Sequence, residues 1–232
     1  MIEIRRAEDR GRTEWGWLDS HHTFSFGEYY DARFEGFRAL RVINDDRVEP
    51  GAGFGTHGHR DMEILSYVLE GSLKHKDSTG GGGVIRPGEI QFMRAGTGVT
   101  HSEYNGSEIE PVHFLQIWVI PDRRGLTPRY DQKAFDPEAA RRGFVLLASR
   151  DGRSNSIQIQ QDMELEVTRM GPGARRSRAL GEKRHAWVHV ARGAITLNEA
   201  EMAEGDGAAV SEERTLQIEA TSDAEVLVFD LA

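Results

Sequence analysis

The sequence predicts an all-β protein with two domains of similar build. Short apolar segments with interspersed polar residues recur along the chain, and turns rich in glycine, of which there are 26, separate them. Long stretches with helical periodicity are absent. An internal repeat relates the two halves, because an apolar run ends at Gly71 in the first half and a similar run ends at Gly193 in the second.

Composition narrows the possible functions. The chain has 232 residues and a formal charge of −9, and this charge works against unaided binding to nucleic acid or to an anionic membrane. It has no cysteine, so disulfides and thiolate metal sites are excluded. No apolar run has the length of a signal peptide or a membrane helix. We therefore expect a cytoplasmic protein, a monomer, with no direct nucleic-acid partner and no membrane partner.

The chain begins with an aromatic segment, residues 15–30, which is interpreted as a lid or an edge segment over apolar surface. Its His21 and His22 are interpreted as part of a structural turn, with contact to a pocket as the alternative. Residues 37–43 alternate and predict a strand. Asn44-Asp45-Asp46 is a turn signal because these residue types favour turns.

Further strands are predicted at residues 62–69 and 73–77, and a buried strand at residues 113–120, where His113 and Gln116 point to opposite faces. His75 is interpreted either as lining the barrel mouth or as an exposed hairpin residue. Prolines at 121, 128 and 137 mark a linker, and Asp136 before Pro137 predicts the start of a helical turn. The predicted division is a first domain at 1–130, a linker at 131–143 and a second domain at 144–232.

Two short motifs predict a metal site. His57 and His59 are two residues apart, as are His101 and Glu103, so each pair shares one face of a strand. Three imidazoles and a carboxylate suit ions such as Fe(II), Mn(II), Ni(II) or Cu(II). Glu63 is an even number of residues from His59, so alternation places it on the same face as a further candidate ligand. The residues alone do not decide between Glu63 and Glu103 as the carboxylate ligand.

The second half lacks these ligands. Counting back from Gly193 as from Gly71 places Ala179 at the position of His57 and Gly181 at that of His59. His185 falls at the position of Glu63, and a single histidine is not enough to hold a metal. We therefore expect a metal site in the first domain only.

The motifs resemble those of a known family. The spacing Gly51-x5-His57-x-His59-x3-Glu63 resembles the first cupin motif, and the stretch from Gly88 to Asn105 resembles the second, with Arg94 in place of a proline. Nearly the whole chain is similar to bacterial pirin-like proteins. This resemblance implies a bicupin fold of two antiparallel jelly-roll β-barrels joined by short helical turns. It also implies His57, His59, His101 and Glu103 as metal ligands, with Glu63 outside the ligand set.

The resemblance also implies an activity. Pirin-like proteins resemble quercetin 2,3-dioxygenases, which open the heterocycle of a flavonol with O2 and release CO. One divalent ion is implied, Fe(II) in preference to Mn, Ni, Co, Cu or Zn, and Glu103 is the expected base for the substrate hydroxyl. The alternatives are a metal-bound redox sensor or protein-interaction module, as the eukaryotic co-regulators of the family suggest, and a sugar isomerase of the cupin type. No substrate-binding residue is assigned from the sequence.

Overall fold

The computed structural model describes all 232 residues, and they divide into two compact units. The N-terminal unit consists of residues 11–135 and 159–161. The C-terminal unit consists of residues 1–10, 136–158 and 162–232. The first ten residues thus belong to the C-terminal unit, although the sequence-based division placed them in the first domain. The boundaries at residues 130 and 143 stay a prediction.

The all-β prediction is confirmed, since strands make up nearly all of the regular structure. The strands of the first part of the chain are β1 (Ile2–Arg5), β2 (Gly11–Glu14), β3 (Leu18–His22), β4 (Leu40–Val48), β5 (Gly53–His59), β6 (Glu63–Glu70), β7 (Leu73–Asp77), β8 (Gly82–Ile85), β9 (Glu89–Arg94), β10 (Val99–Asn105), β11 (Val112–Val119) and β12 (Arg129–Ala134). Strand β12 pairs with β9, so part of the predicted linker is an edge strand of the N-terminal unit.

The second part of the chain begins with the one α-helix. Its elements are α1 (Pro137–Arg142), β13 (Val145–Ser149), β14 (Ile157–Gln158), β15 (Met163–Met170), β16 (Arg175–Ala179), β17 (His185–Arg192), β18 (Ala194–Leu197), β19 (Ala200–Ala203), β20 (Gly207–Val210), β21 (Thr215–Ala220) and β22 (Ala224–Leu231). The predicted helical turn is confirmed, because the Asp136 side chain accepts a hydrogen bond from the Glu138 amide at the N-terminus of α1. Short 3-10 turns cover residues 7–9 and 153–155.

The internal repeat is confirmed in the topology. The N-terminal unit has a large sheet in the order β12-β9-β6-β11-β4-β3-β2 and a small sheet in the order β5-β10-β7-β8. The C-terminal unit repeats this with β1-β20-β17-β22-β15-β13-β14 and β16-β21-β18-β19. Gly71 and Gly193 end corresponding strands at φ of 72° and 74°, where a side chain would collide with a backbone carbonyl oxygen.

Each unit places its apolar side chains between its own two sheets. In the C-terminal unit aliphatic residues fill this space, among them Val188, Ile195 and Leu216. In the N-terminal unit a smaller aliphatic cluster, which includes Val68, Leu73 and Val112, occupies only one part of the space. A second small apolar cluster comprises Ile64, Met93 and Val99. The N-terminal unit also buries many polar side chains, among them those of the candidate site.

The predicted turn at Asn44-Asp45-Asp46 is wrong, because these residues lie inside β4 and all three are buried. The strand tolerates them because each side chain has a hydrogen-bonding partner. Asn44 bonds to His22, Asp45 to His113, and Asp46 to Ser20.

Candidate metal centre

Three histidines of the N-terminal unit bring their ring nitrogens close together. His57 and His59 lie on β5, and His101 lies on β10 directly opposite His57. The Nε2 atom of His101 is 3.0 Å from Nε2 of His57 and 3.0 Å from Nε2 of His59. The predicted alternation is confirmed for this pair on β5, since both side chains face the same centre.

The arrangement of these nitrogens fits a metal ion. At a metal–nitrogen distance of about 2.1 Å, two nitrogens at a right angle lie about 3.0 Å apart, which is the spacing seen here. Nδ1 of His57 donates a hydrogen bond to the Gly55 carbonyl oxygen at 2.8 Å, so its Nε2 presents a lone pair to the centre. The three residues can therefore act together as nitrogen ligands.

Two of the histidines, His59 and His101, have the protonation state that metal binding requires. Burial, together with the neighbouring imidazoles, lowers the pKa of His59 to about 4 and that of His101 to about 3. Both rings are thus neutral at pH 7, and neutral imidazole is the form that binds a metal.

Glu103 lies next to this group but does not join all three histidines. Its carboxylate groups with His101 and His75, whose ligand atoms lie within 4.8 Å of one another. The side chain is buried and held on both sides, since Oε1 accepts from Ser66 Oγ at 3.1 Å and Oε2 accepts from Gln116 Nε2 at 2.9 Å. His101 is common to both groups, so the four predicted ligands lie in two overlapping clusters.

His75 and Asp77 form a hydrogen-bonded chain with His101 on the side away from the centre. Nδ1 of His101 lies 3.4 Å from Nδ1 of His75, and Nε2 of His75 lies 3.1 Å from Oδ2 of Asp77. Since Nε2 of His101 faces the centre, its Nδ1 carries the proton and donates it to His75, which in turn donates to Asp77. The structure rules out one of the two interpretations of His75. It is buried, stacks on Tyr130, and is not an exposed hairpin residue.

The donors to Glu103 belong to a polar row that crosses the large sheet. Residues paired directly across neighbouring strands share a face. The row therefore runs through consecutive pairings from β3 to β12 and comprises His22, Asn44, Gln116, Ser66, Gln91 and Gln132. The six members lie on six different strands, so no local motif revealed the row in the sequence.

The expectation that Glu63 shares a face with His59 is wrong. The chain bends between β5 and β6, and Asp61 has a φ of 49°, so alternation does not continue from one strand to the next. The buried Glu63 carboxylate accepts from Arg94 Nε at 2.8 Å and from the Gln160 backbone amide at 2.8 and 3.0 Å. It neither joins the cluster nor contacts a histidine through a hydrogen bond.

A cavity of about 370 Å³ opens beside the cluster. Its lining includes His57 and Glu103, and four aromatic residues, Trp15, Phe26, Phe54 and Trp118, supply most of its apolar wall. The volume lies within the range of small-molecule sites. The aromatic segment at residues 15–30 therefore contributes to the cavity wall, as its interpretation as a covering segment suggested.

The residues at positions 22 and 116 also line this cavity. His22 lies in β3 and not in a turn, so the favoured interpretation of this residue is wrong and the pocket alternative is correct. Gln116 lines the cavity, whereas His113 points to the other face of β11 and bonds to Asp45 at 2.6 Å, as their parity predicted.

Two cupin-type units, of which one carries a cluster of histidines and a glutamate able to hold a single metal ion, define the class of bicupin metal-binding proteins. The pirin family model matches residues 3–119, and the model for the quercetinase C-terminal cupin domain matches residues 146–231. The chain belongs to the pirin family. The predicted bicupin fold is thereby confirmed.

Similar proteins support this assignment. A relative in Escherichia coli K12 named quercetin 2,3-dioxygenase is 48% identical over 100% of this chain and 99% of its own length. The crystal structure of YhhW from Escherichia coli is similar, with a TM-score of 0.96, 48% identity and coverage of 100% of this chain and 98% of that one. A nickel(II) complex of the same bacterial pirin has a TM-score of 0.94 and 47% identity, with coverage of 100% and 99%.

More distant structures show the fold alone. One is a quercetin 2,3-dioxygenase from Acinetobacter baumannii, at 22% identity and a TM-score of 0.78. The relation to proteins named quercetin 2,3-dioxygenase rests instead on the Escherichia coli relative at 48% identity. None of its helices is long and apolar enough to cross a membrane.

Proposed function

We propose that this protein is a metal-dependent dioxygenase of the quercetin 2,3-dioxygenase type, which opens the heterocycle of a flavonol with O2 and releases CO. The observation that carries the proposal is the aromatic-walled cavity, which is lined by His57 and Glu103 at the cluster. A planar aromatic substrate fits between such walls, and its hydroxyl group can then meet the polar side of the cavity.

In this proposal His57, His59, His101 and Glu103 hold one divalent ion, with Fe(II) preferred. When bound, such an ion supplies Lewis acidity toward a substrate hydroxyl and, if it is redox-active, a route for electrons to O2. No cysteine competes for the ion. The nickel(II) complex is a structure of the Escherichia coli relative. The identity of the metal in this protein is therefore part of the proposal.

Glu103 takes the proton of the substrate hydroxyl. Ser66 and Gln116 donate one hydrogen bond to each of its oxygens and so fix the orientation of the carboxylate. Each oxygen keeps a further lone pair, so one oxygen can bind the ion while the other accepts the substrate proton. Trp118 donates to Gln116 Oε1 at 3.2 Å, so an aromatic wall residue and the anchor of the base are held together.

The test is consumption of O2 and release of CO when metal-loaded protein is mixed with quercetin. We expect His59→Ala to lose both metal and activity. Glu103→Gln, which keeps the shape of the side chain but not its basicity, should lower the rate at least about a hundredfold. His185→Ala is a matched control, because it removes a histidine from the C-terminal unit at the position that corresponds to Glu63.

Equal rates in wild type and His59→Ala would refute the proposal. Protein that holds one metal ion and consumes no O2 with flavonols would favour the alternative, a metal-bound redox sensor or protein-interaction module. Elemental analysis of untagged protein purified without oxygen would identify the ion.

A further inference from the structure

A second carboxyl group lies in the cavity and has no part in the cluster. Asp46 is on β4, its side chain is buried, and it lines the cavity. Its Oδ1 accepts a hydrogen bond from Ser20 Oγ on the neighbouring strand. Its Oδ2 has no hydrogen-bonding partner in the protein. Because Asp46 lines the cavity, this oxygen is accessible from it and can form a hydrogen bond with a molecule bound there.

Asn44 extends this polar surface. It is two residues from Asp46 on the same strand, so both side chains face the cavity about 7 Å apart along the strand. Its Oδ1 lies 2.8 Å from Nδ1 of His22, which directs its Nδ2 away from that contact as an available donor. Asn44 also pairs across the sheet with Gln116, the donor to Glu103.

We infer that Asp46, with Asn44 beside it, is a recognition site for a second hydroxyl group of a polyhydroxylated aromatic substrate. The inference rests on the proposed function and deepens it, because it names the groups that select among flavonols. A substrate whose first hydroxyl lies at Glu103 extends along the aromatic walls. Its second hydroxyl then reaches the pair on β4.

The chemistry of Asp46 suits a phenol. Burial raises the pKa of its carboxyl to about 7, and nearby Asp45 and Glu103 contribute in the same direction. A neutral carboxyl group can donate one hydrogen bond and accept others, and a phenolic hydroxyl offers the complementary pair. The site would therefore distinguish flavonols that carry the second hydroxyl from those that lack it.

The experiment measures flavonol binding to metal-loaded protein without oxygen, so that no turnover is needed. The probes are quercetin and 3-hydroxyflavone, which lacks the other hydroxyl groups of quercetin. We expect Asp46→Leu and Asp46→Ala to weaken quercetin binding about tenfold to a hundredfold and to change 3-hydroxyflavone binding less than about twofold. Asp46→Asn, which keeps a donor and an acceptor, should retain most of the preference for quercetin.

Asp19→Asn is the matched control, because Asp19 lies next to Ser20 on β3 but pairs with Arg12 outside the cavity. Equal losses for both probes in the two Asp46 variants, or no loss for either, would overturn the inference and leave the proposed function standing. Wild-type protein that binds neither probe would overturn both. The use of two variants that differ in volume separates a lost hydrogen bond from a misfolded wall.

Discussion

The contact behind His101 gives the sharpest prediction about metal affinity. His75→Phe removes the nitrogen that accepts from His101 Nδ1 and the one that donates to Asp77, but it keeps an aromatic ring to stack on Tyr130, whose ring centroid is 5.1 Å away. The variant therefore isolates the hydrogen bonds from the packing. Without its acceptor, the His101 ring is free to rotate or to change tautomer.

The structure sets the expected size of this effect. Loss of a group that orients a metal ligand typically weakens metal affinity tenfold to a hundredfold. The distance of 3.4 Å between His101 and His75 is long for a hydrogen bond, so we expect the lower end of that range. A tenfold loss corresponds to about 1.4 kcal/mol.

The assay is calorimetric titration with Ni(II) or Co(II), together with denaturation in the presence and absence of metal. Metal at about 100 times its Kd stabilises the wild type by about 2.7 kcal/mol, and a tenfold weaker variant would keep about 1.4 kcal/mol. The visible spectrum of bound Co(II) should also change, because it reports the orientation of the ligands.

Tyr130→Phe is the matched control, since it keeps the ring that stacks on His75 and removes only the hydroxyl that donates to Gln132. Both hydrogen bonds of the His75 ring stay in place. We expect its metal Kd to stay within about twofold of wild type. A His75→Phe protein that is folded and binds metal with wild-type affinity and an unchanged Co(II) spectrum would refute the reasoning.

Three further predictions concern pH and the base. In metal-free protein the lowered pKa of His59 gives stability that is present above about pH 6.5 and lost as pH falls below it. Because the ring is partly exposed and screened by solvent, the wild type should lose about 1 kcal/mol by pH 5 relative to His59→Ala in urea denaturation, and a difference independent of pH would contradict this. The raised pKa of Asp46 gives the opposite dependence of stability on pH. Relative to Asp46→Asn, the wild type should lose stability as pH rises from about 4 to 7 and stay level above pH 7, and urea denaturation over this pH range checks this. Gln116→Leu removes the donor to Glu103 Oε2 and should lower the rate of O2 consumption with quercetin about tenfold, whereas an unchanged rate would show that this anchor is dispensable.

The part of the site that could be predicted from sequence is the part that local spacing determines. His57 and His59 are two residues apart within one strand, and alternation alone places both at the centre. The same rule failed for Glu63 because it was extended across the bend at Asp61 into the next strand. Alternation predicts the face of a side chain only within one uninterrupted strand.

The rest of the site depends on register between strands, which no local motif specifies. His75 is close to His101 because β7 pairs with β10, and Asp46 meets Ser20 because β4 pairs with β3. Asn44, Asp45 and Asp46 are residue types that favour a turn, and tertiary hydrogen bonds override that preference in β4. These residues break the local rules where the candidate site lies, as is common at functional sites.

The duplicated fold explains why the surroundings of the ligands matter as much as the ligands. Counting from Gly71 and Gly193, Ser66 corresponds to Val188, and each pairs with the two neighbouring strands of its own sheet. The partners of Ser66 are Gln116 and Gln91, whereas those of Val188 are Val228 and Ala208, which lie in an aliphatic core.

A buried carboxylate needs donors, and the aliphatic row in the C-terminal unit offers none at these positions. The C-terminal unit therefore has no side chains that could hold a carboxylate as Ser66 and Gln116 hold Glu103. It also lacks the nitrogen ligands, because Ala179 and Gly181 stand at the positions of His57 and His59. In the C-terminal unit these substitutions favour a packed core. In the N-terminal unit the polar row keeps the interior open, at a cost in apolar burial, and this leaves space for a ligand beside the cluster.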